Sequence, residues 1–251
     1  MAAPTAIWSQ LMNTEPLFNK YYFDRVDFVG GTTAFHNLCQ NAIQTNSRIL
    51  EIGCGPSNEM SERLSSLGDL EGADISPEAL DNRFLKHVHL YDGVTLPVPT
   101  ASFIACVSNY VLEHIQDPTQ HFLEVSRVLK PGGVYCFRTP NLLHYVSFAA
   151  KVLPHNMHRL IANRVRSLPG DHHEPYRTYY RANLSSTIRH LARTAGLDVV
   201  QLHLIEKEPS YGKAHSLLFY PMLAYERLVN STDLFAHFRV NIIAVLQKPR
   251  R

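Results

Sequence analysis

Between Ser47 and Ile52 the chain reads Ser-Arg-Ile-Leu-Glu-Ile, a short apolar run carrying one acid, and it stops at Gly53-Cys54-Gly55. Such a run, bounded by glycine, predicts a buried strand. Asn58 to Leu67 predicts a helix whose unpaired amino-terminal N–H groups face the turn. Leu70 to Ser76 predicts a second strand ending in Asp74, and Ser76-Pro77-Glu-Ala-Leu80 has the form of a capped helix start. Further on, Lys130-Pro-Gly-Gly133 combines a basic helix end, a proline that stops it and glycines that turn the chain into a strand. Ala182 to Ala195 predicts a helix stopped by Gly196, with Asn183 or Ser185 as its cap. The pattern then predicts a strand over Asp198 to Ile205, a helix over Leu217 to Val229 and a closing strand over Arg239 to Leu246.

Gly53 and Gly55 allow the backbone to turn tightly and approach a ligand without a Cβ in the way. Asp74 follows the turn by about twenty residues, where a doubly wound sheet places the carboxylate that binds ribose hydroxyls. A dinucleotide site would have a third glycine where this chain has Asn58. Glu51 would repel a pyrophosphate but suits an amine-bearing or cationic ligand.

On these motifs the chain resembles the class I S-adenosylmethionine-dependent methyltransferases, with their acid before G-x-G and their second strand ending in an acid. The resemblance continues in order. His87 to Gly93 is similar to the family's third strand, Ser102 to His114 to the fourth strand and its loop, and Glu124 to Phe137 to a helix, a Lys-Pro-Gly-Gly turn and a fifth strand. Two positions depart from the pattern: Ser57 replaces a usual glycine, and Ile104 replaces a frequent aspartate. The resemblance implies an α/β, Rossmann-like, seven-stranded sheet of order 3-2-1-4-5-7-6, with strand 7 antiparallel and helices on both faces. It also implies S-adenosyl-L-methionine as cofactor and S-adenosyl-L-homocysteine as product. The expected cofactor residues are Glu51, Gly53, Cys54, Gly55, Asp74, Ile75, Asp92, Gly93 and Asn109, with Asp92 on the adenine amine. Cys54 is expected to contribute its backbone, since methyl transfer from a sulfonium needs no enzyme nucleophile.

Residues 1–46 are expected to form an amino-terminal helical cap, with 47–251 as the methyltransferase domain in one structural domain. Phe18, Tyr21, Tyr22, Phe23 and Phe28 form an aromatic run there, for which two readings stand: a cap over the cofactor, or packing against the outside of the sheet. Insertions are expected at about 141–181 and 206–238. The first is long for a connection in an α/β domain and reads as a lid over the acceptor. Its 142–168 stretch, interrupted at Pro154, mixes apolar residues with Lys151, Arg159, Arg164 and Arg166, so peripheral contact with lipid or an anionic substrate is an alternative.

A net charge of +2 gives no field that argues for nucleic acid. Ser108-Asn109-Tyr110-Val111 also lacks the Pro-Pro-aromatic signature of base-amine methyltransferases. Cys39, Cys54, Cys106 and Cys136 show no paired spacing, and no apolar run reaches the roughly 20 residues of a membrane span. A cytoplasmic protein with reduced thiols is expected. The acceptor is expected to be a small molecule methylated on O, N or C, with no metal. Candidate groups on the acceptor side are His114 after the fourth strand, His173 within Asp171-His-His-Glu174, and Tyr22. A cofactor-binding protein without turnover and a nicotinamide oxidoreductase remain as competing classes.

Overall fold

The strand signals assemble into one seven-stranded sheet made of β1 (Ser47–Ile52), β2 (Gly68–Asp74), β3 (His87–Leu90), β4 (Phe103–Asn109), β5 (Leu129–Pro140), β6 (Asp198–Ile205) and β7 (Asn241–Gln247). Their spatial order is β3-β2-β1-β4-β5-β7-β6, as the family resemblance implies. β1 pairs in parallel with β2 and β4, β4 with β5, and β7 runs antiparallel to β5. A computed structural model describes residues 14–152, 176–209 and 216–250. The chain divides into two compact units: one spans Thr32–Leu142, Tyr176–Leu204 and Asn241–Arg251, and the other comprises Met1–Gly31, Leu143–Pro175 and Ile205–Val240.

The sheet unit buries both faces, so its central strands read as nearly continuous apolar runs. On one face, Leu50, Ile52, Cys106, Tyr135 and Phe137 form a core with Phe122 and Val125 of α4 (Pro118–Val128) and Ile188 and Leu191 of α6 (Ser185–Thr194). Alternate residues point the other way. Glu51 meets Ser61 of α3 (Glu59–Ser65), and Cys136 meets Cys39 of α2 (Gly31–Ala42). The Tyr135 hydroxyl lies 2.7 Å from Ser108 Oγ and 3.0 Å from His121 Nε2, which satisfies three polar groups inside the core.

Three local expectations change. β5 begins at Leu129, before the Lys130-Pro-Gly-Gly133 turn, because Phe103 pairs with Leu129 while Ala105 pairs with Val134, so the intervening residues are looped out of the ladder. The element after Ser76 is a 3-10 helix of five residues, Pro77–Asp81, with the Ser76 side chain accepting from Glu78 N. The α6 helix has Leu184 at its cap position with no side-chain cap. Asn183 is spent elsewhere: its amide donates to Thr139 Oγ1 (2.7 Å) and Pro140 O (2.8 Å) at the end of β5.

In the second unit, α1 (Glu15–Phe18) runs into a π-helical turn, Asn19–Phe23, and packs on α7 (Ser216–Ser231). Phe18 and Phe219 meet edge to face with ring centroids 5.1 Å apart, and Tyr22 donates to Glu226 Oε2 at 3.1 Å. The aromatic run therefore has α7 as its partner, a pairing absent from the sequence reading because 204 positions separate Tyr22 from Glu226. Of the first insertion, α5 (Tyr145–Val152) is described. His155, His158, Arg159, Arg164, Arg166 and the Asp171–Glu174 cluster lie outside the described residues.

Truncating Phe122, which is fully buried, should cost about 3–5 kcal/mol as Phe122→Ala. Tyr135→Phe keeps the ring but strands Ser108 and His121, and should cost about 1–3 kcal/mol. Urea unfolding of both variants checks the order; a Tyr135→Phe change near zero would contradict the buried hydroxyl network.

Candidate nucleoside site at the strand ends

β1 ends against a backbone turn that only glycine adopts cheaply: Gly53 and Gly55 have φ of +69° and +56°. A Cβ on Gly53 would lie 2.4 Å from Val111 Cγ2, so the turn is pressed against the loop that follows β4. A Cβ on Gly55 would meet nothing within 4 Å, so this glycine faces open space. Asn58 caps α3: its Oδ1 accepts from Met60 N and Ser61 N, while its Nδ2 donates to Cys54 O (2.8 Å) and Pro56 O (2.9 Å). Asn82 braces the loop from the other side, donating to Gly55 O (3.1 Å), Pro56 O (3.3 Å) and Ser61 Oγ (2.9 Å). Sequence reasoning missed Asn82, whose work is done on backbone carbonyls that no motif marks.

Glu51 lies beneath this loop. It is 3% exposed and its Oε2 accepts from the Ser61 hydroxyl at 2.7 Å. Burial pushes its carboxyl up to about 7, partly countered by the Ser61 bond and reinforced by Asp74. Glu51 thus supports the loop from below. Cys54 is 2% exposed, and burial followed by the charges of Asp74 and Glu51 raises its thiol to about 12, which rules out a nucleophile at neutral pH.

Asp74 joins the two loops. Its Oδ2 accepts from Gly55 N and its Oδ1 from Ser76 N, both at 2.8 Å. Each carboxylate oxygen retains acceptor capacity for a further donor, so adjacent hydroxyls fit here. One strand over, Asp92 is exposed; its Oδ1 accepts from Val94 N and Thr95 N, which holds the carboxyl below its usual range. Ile75, 52% exposed, lies 3.4 Å from where a Gly93 Cβ would stand. Two acids with an apolar ledge beside Gly93, on strand ends spaced about 4.8 Å apart, match the hydroxyls, the flat ring and the amine of a nucleoside.

At the end of β4, Asn109 Oδ1 accepts from Arg138 Nε at 2.7 Å. Glu113 is buried, its Oε2 accepts from the Thr139 hydroxyl at 3.2 Å, and burial lifts its carboxyl to about 7. His114 Nδ1 lies 3.0 Å from Arg177 O and its ring stands edge-on to Tyr176, 6.0 Å between centroids. A carbonyl only accepts, so Nδ1 carries the proton and Nε2 is the basic nitrogen of the neutral ring. Tyr22 is 2% exposed in the second unit with its hydroxyl on Glu226, and burial raises its pKa. His173 lies outside the described residues. Among the described residues no group of three or more His, Cys, Asp or Glu is placed to hold a metal, and no helix is long and apolar enough to cross a membrane.

Residues 50–137 match the family described as a methyltransferase domain. The chain is 32% identical over 134 residues to a ubiquinone biosynthesis O-methyltransferase of Paraburkholderia phymatum, a match covering 45% of this chain and 56% of that protein. Across three curated relatives the match covers 36% to 56% of their length, so the chain spans about half of them. Two solved structures share the fold at low identity. The [4+2]-cyclase SpnF superposes with a TM-score of 0.55, at 17% identity, covering 97% of this chain and 95% of that one. The geranyl diphosphate C-methyltransferase of Streptomyces coelicolor, crystallised with S-adenosyl-L-homocysteine, gives 0.53, at 15% identity, covering 86% and 80%.

The buried acids make stability depend on pH. Glu51 and Glu113 ionise near 7 when folded, against about 4.3 for an unfolded glutamate, so the folded state binds more protons and stability falls as pH rises. His121 and His144, both lowered to about 4, oppose this only below the ordinary histidine range, where acid must charge them. Denaturation midpoints should therefore fall as pH rises through about 7 and level off above it as far as these two acids are concerned, and Glu51→Gln should flatten the slope. A slope unchanged by that substitution would contradict the burial of Glu51.

Proposed function

We propose that over its sheet unit the chain is a class I S-adenosylmethionine-dependent methyltransferase and that it methylates an O, N or C atom of a small-molecule metabolite, a reading supported by the methyltransferase-domain match over residues 50–137. The observation that carries the reading is the Asp74 carboxylate fastened between the amides of Gly55 and Ser76, beside a glycine open to a ligand. The bound cofactor supplies a sulfonium-activated methyl group. The protein's own residues position it: Asp74 takes the ribose hydroxyls, Ile75 and Gly93 flank the adenine, Asp92 accepts from its amine, and the Gly53–Gly55 backbone allows close approach. Asn109 borders the amino-acid end, and Glu51 and Cys54 hold the loop. His114, after β4, orients the acceptor or takes its proton through Nε2.

A small acceptor is supported by relatives named for ubiquinone biosynthesis and demethylmenaquinone methylation, and by the absence of a base-flipping signature after β4. Binding without methyl transfer is the second reading, favoured by a neighbour of the same fold that is named a [4+2]-cyclase. Incubating the protein with labelled donor and a metabolite extract separates the two, because only the enzyme places label in an acceptor.

Asp74→Ala should stay folded and weaken S-adenosyl-L-homocysteine binding by at least about tenfold in calorimetry, since it removes charged acceptors. Unchanged affinity in a folded variant would sink the ribose assignment. His114→Ala should leave that affinity intact and lower single-turnover methylation by roughly 10²-fold if the imidazole takes a proton. A wild-type rate would demote it to a structural residue.

A further inference from the structure

Arg138, near the end of β5, is 4% exposed, yet no carboxylate forms an ion pair with it among the described residues. Its Nε donates to Asn109 Oδ1 at 2.7 Å, and both terminal nitrogens share Thr32 Oγ1 at 3.4 Å, longer than an ordinary N–H···O bond. The Tyr110 and Phe35 rings lie 4.4 and 5.6 Å from the guanidinium carbon. Glu113 feels the charge, but its Oε2 is committed to Thr139. Buried cations are ordinarily paired, because desolvating one without a counter-charge is costly. Among the described residues every direct partner is neutral. Two weak bonds to one hydroxyl leave the outer edge of the fork, two parallel N–H groups, unmatched by any acceptor of comparable strength.

The surroundings hold the fork instead of neutralising it. Asn109 fixes Nε, and the aromatic faces fix the plane of the group. Tyr110 is 40% exposed and held at φ +58°, a left-handed conformation that is uncommon for a bulky residue and concentrates at functional sites. Its amide donates to Arg138 O at 2.9 Å, so the strained residue and the arginine are tied by backbone as well as by stacking.

We propose that Arg138 receives a carboxylate of the bound substrate pair, in the two-point geometry that a guanidinium fork and a carboxylate share. The inference rests on the proposed function. A nucleoside over the ends of β3, β2 and β1 leaves the ends of β4 and β5 to the donor's amino-acid tail and to the acceptor, and Arg138 stands there beside Asn109. Both sources present the same chemistry.

Calorimetry on the full chain separates them. S-Adenosyl-L-homocysteine carries the amino-acid tail, and 5′-methylthioadenosine carries the same nucleoside without it. If the donor supplies the carboxylate, Arg138→Gln weakens the first by at least about tenfold and leaves the second unchanged, and Arg138→Lys restores part of the loss. If the acceptor supplies it, both affinities survive, and acetate or benzoate raises the melting temperature of the S-adenosyl-L-homocysteine-saturated wild type but not of Arg138→Gln. Equal cofactor affinities together with equal carboxylate responses in the two proteins would overturn the proposal and leave Arg138 a structural cation. If Arg138→Gln does not fold, Arg138→Lys, which keeps the charge but loses the fork, carries the same comparison. A wild type that binds neither nucleoside would instead overturn the functional reading itself.

Discussion

Two backbone amides, from Gly55 and Ser76, converge on the single carboxylate of Asp74, and the ligand-facing side of the sheet is organised by that convergence. The loops after β1 and β2 have no regular ladder to hold them at this point, and an acid that is 7% exposed locks both with charge-assisted bonds. The same oxygens are the acceptors a ribose needs. In the proposed function, structural and binding demands thus fall on one residue, and a turn made rigid before a ligand arrives reduces the ordering cost of binding.

Beneath that contact, the side chains of Glu51, Ser61 and Asn82 form a buried relay from the floor of β1 to the carbonyls of Gly55 and Pro56. A partly satisfied polar network in a low-dielectric interior would be a liability. This one is closed by Asn58, which satisfies the first amides of α3 and the carbonyls of the turn together. The glycines therefore provide access, while position comes from the asparagines and the buried acid.

Most of the sheet was legible in the chain because its strands are short apolar runs closed by glycine or by an acid, and because the family that the motifs resemble implies the strand order. The residues proposed to face the cofactor stand out for the same reason: Gly53, Gly55 and Asp74 sit at fixed offsets from strand ends. What stayed hidden depends on register or on distant pairing. Arg138 meets Asn109 only because β4 and β5 align those two positions, and Thr32 reaches it from a helix 106 positions away. Asn183 looked like a helix cap, yet its amide serves Thr139 and Pro140, since satisfying a strand end in the interior outweighs an exposed cap. The amino-terminal aromatic run reads as amphipathic, but nothing local in it points to α7.

The central claim is that the loops after β1, β2 and β3 form the cofactor site. Amide hydrogen exchange with and without S-adenosyl-L-homocysteine addresses it most directly. The account predicts added protection in peptides covering residues 53–58, 74–76 and 92–95. Binding that left all three segments unchanged, or that protected only other segments, would contradict it.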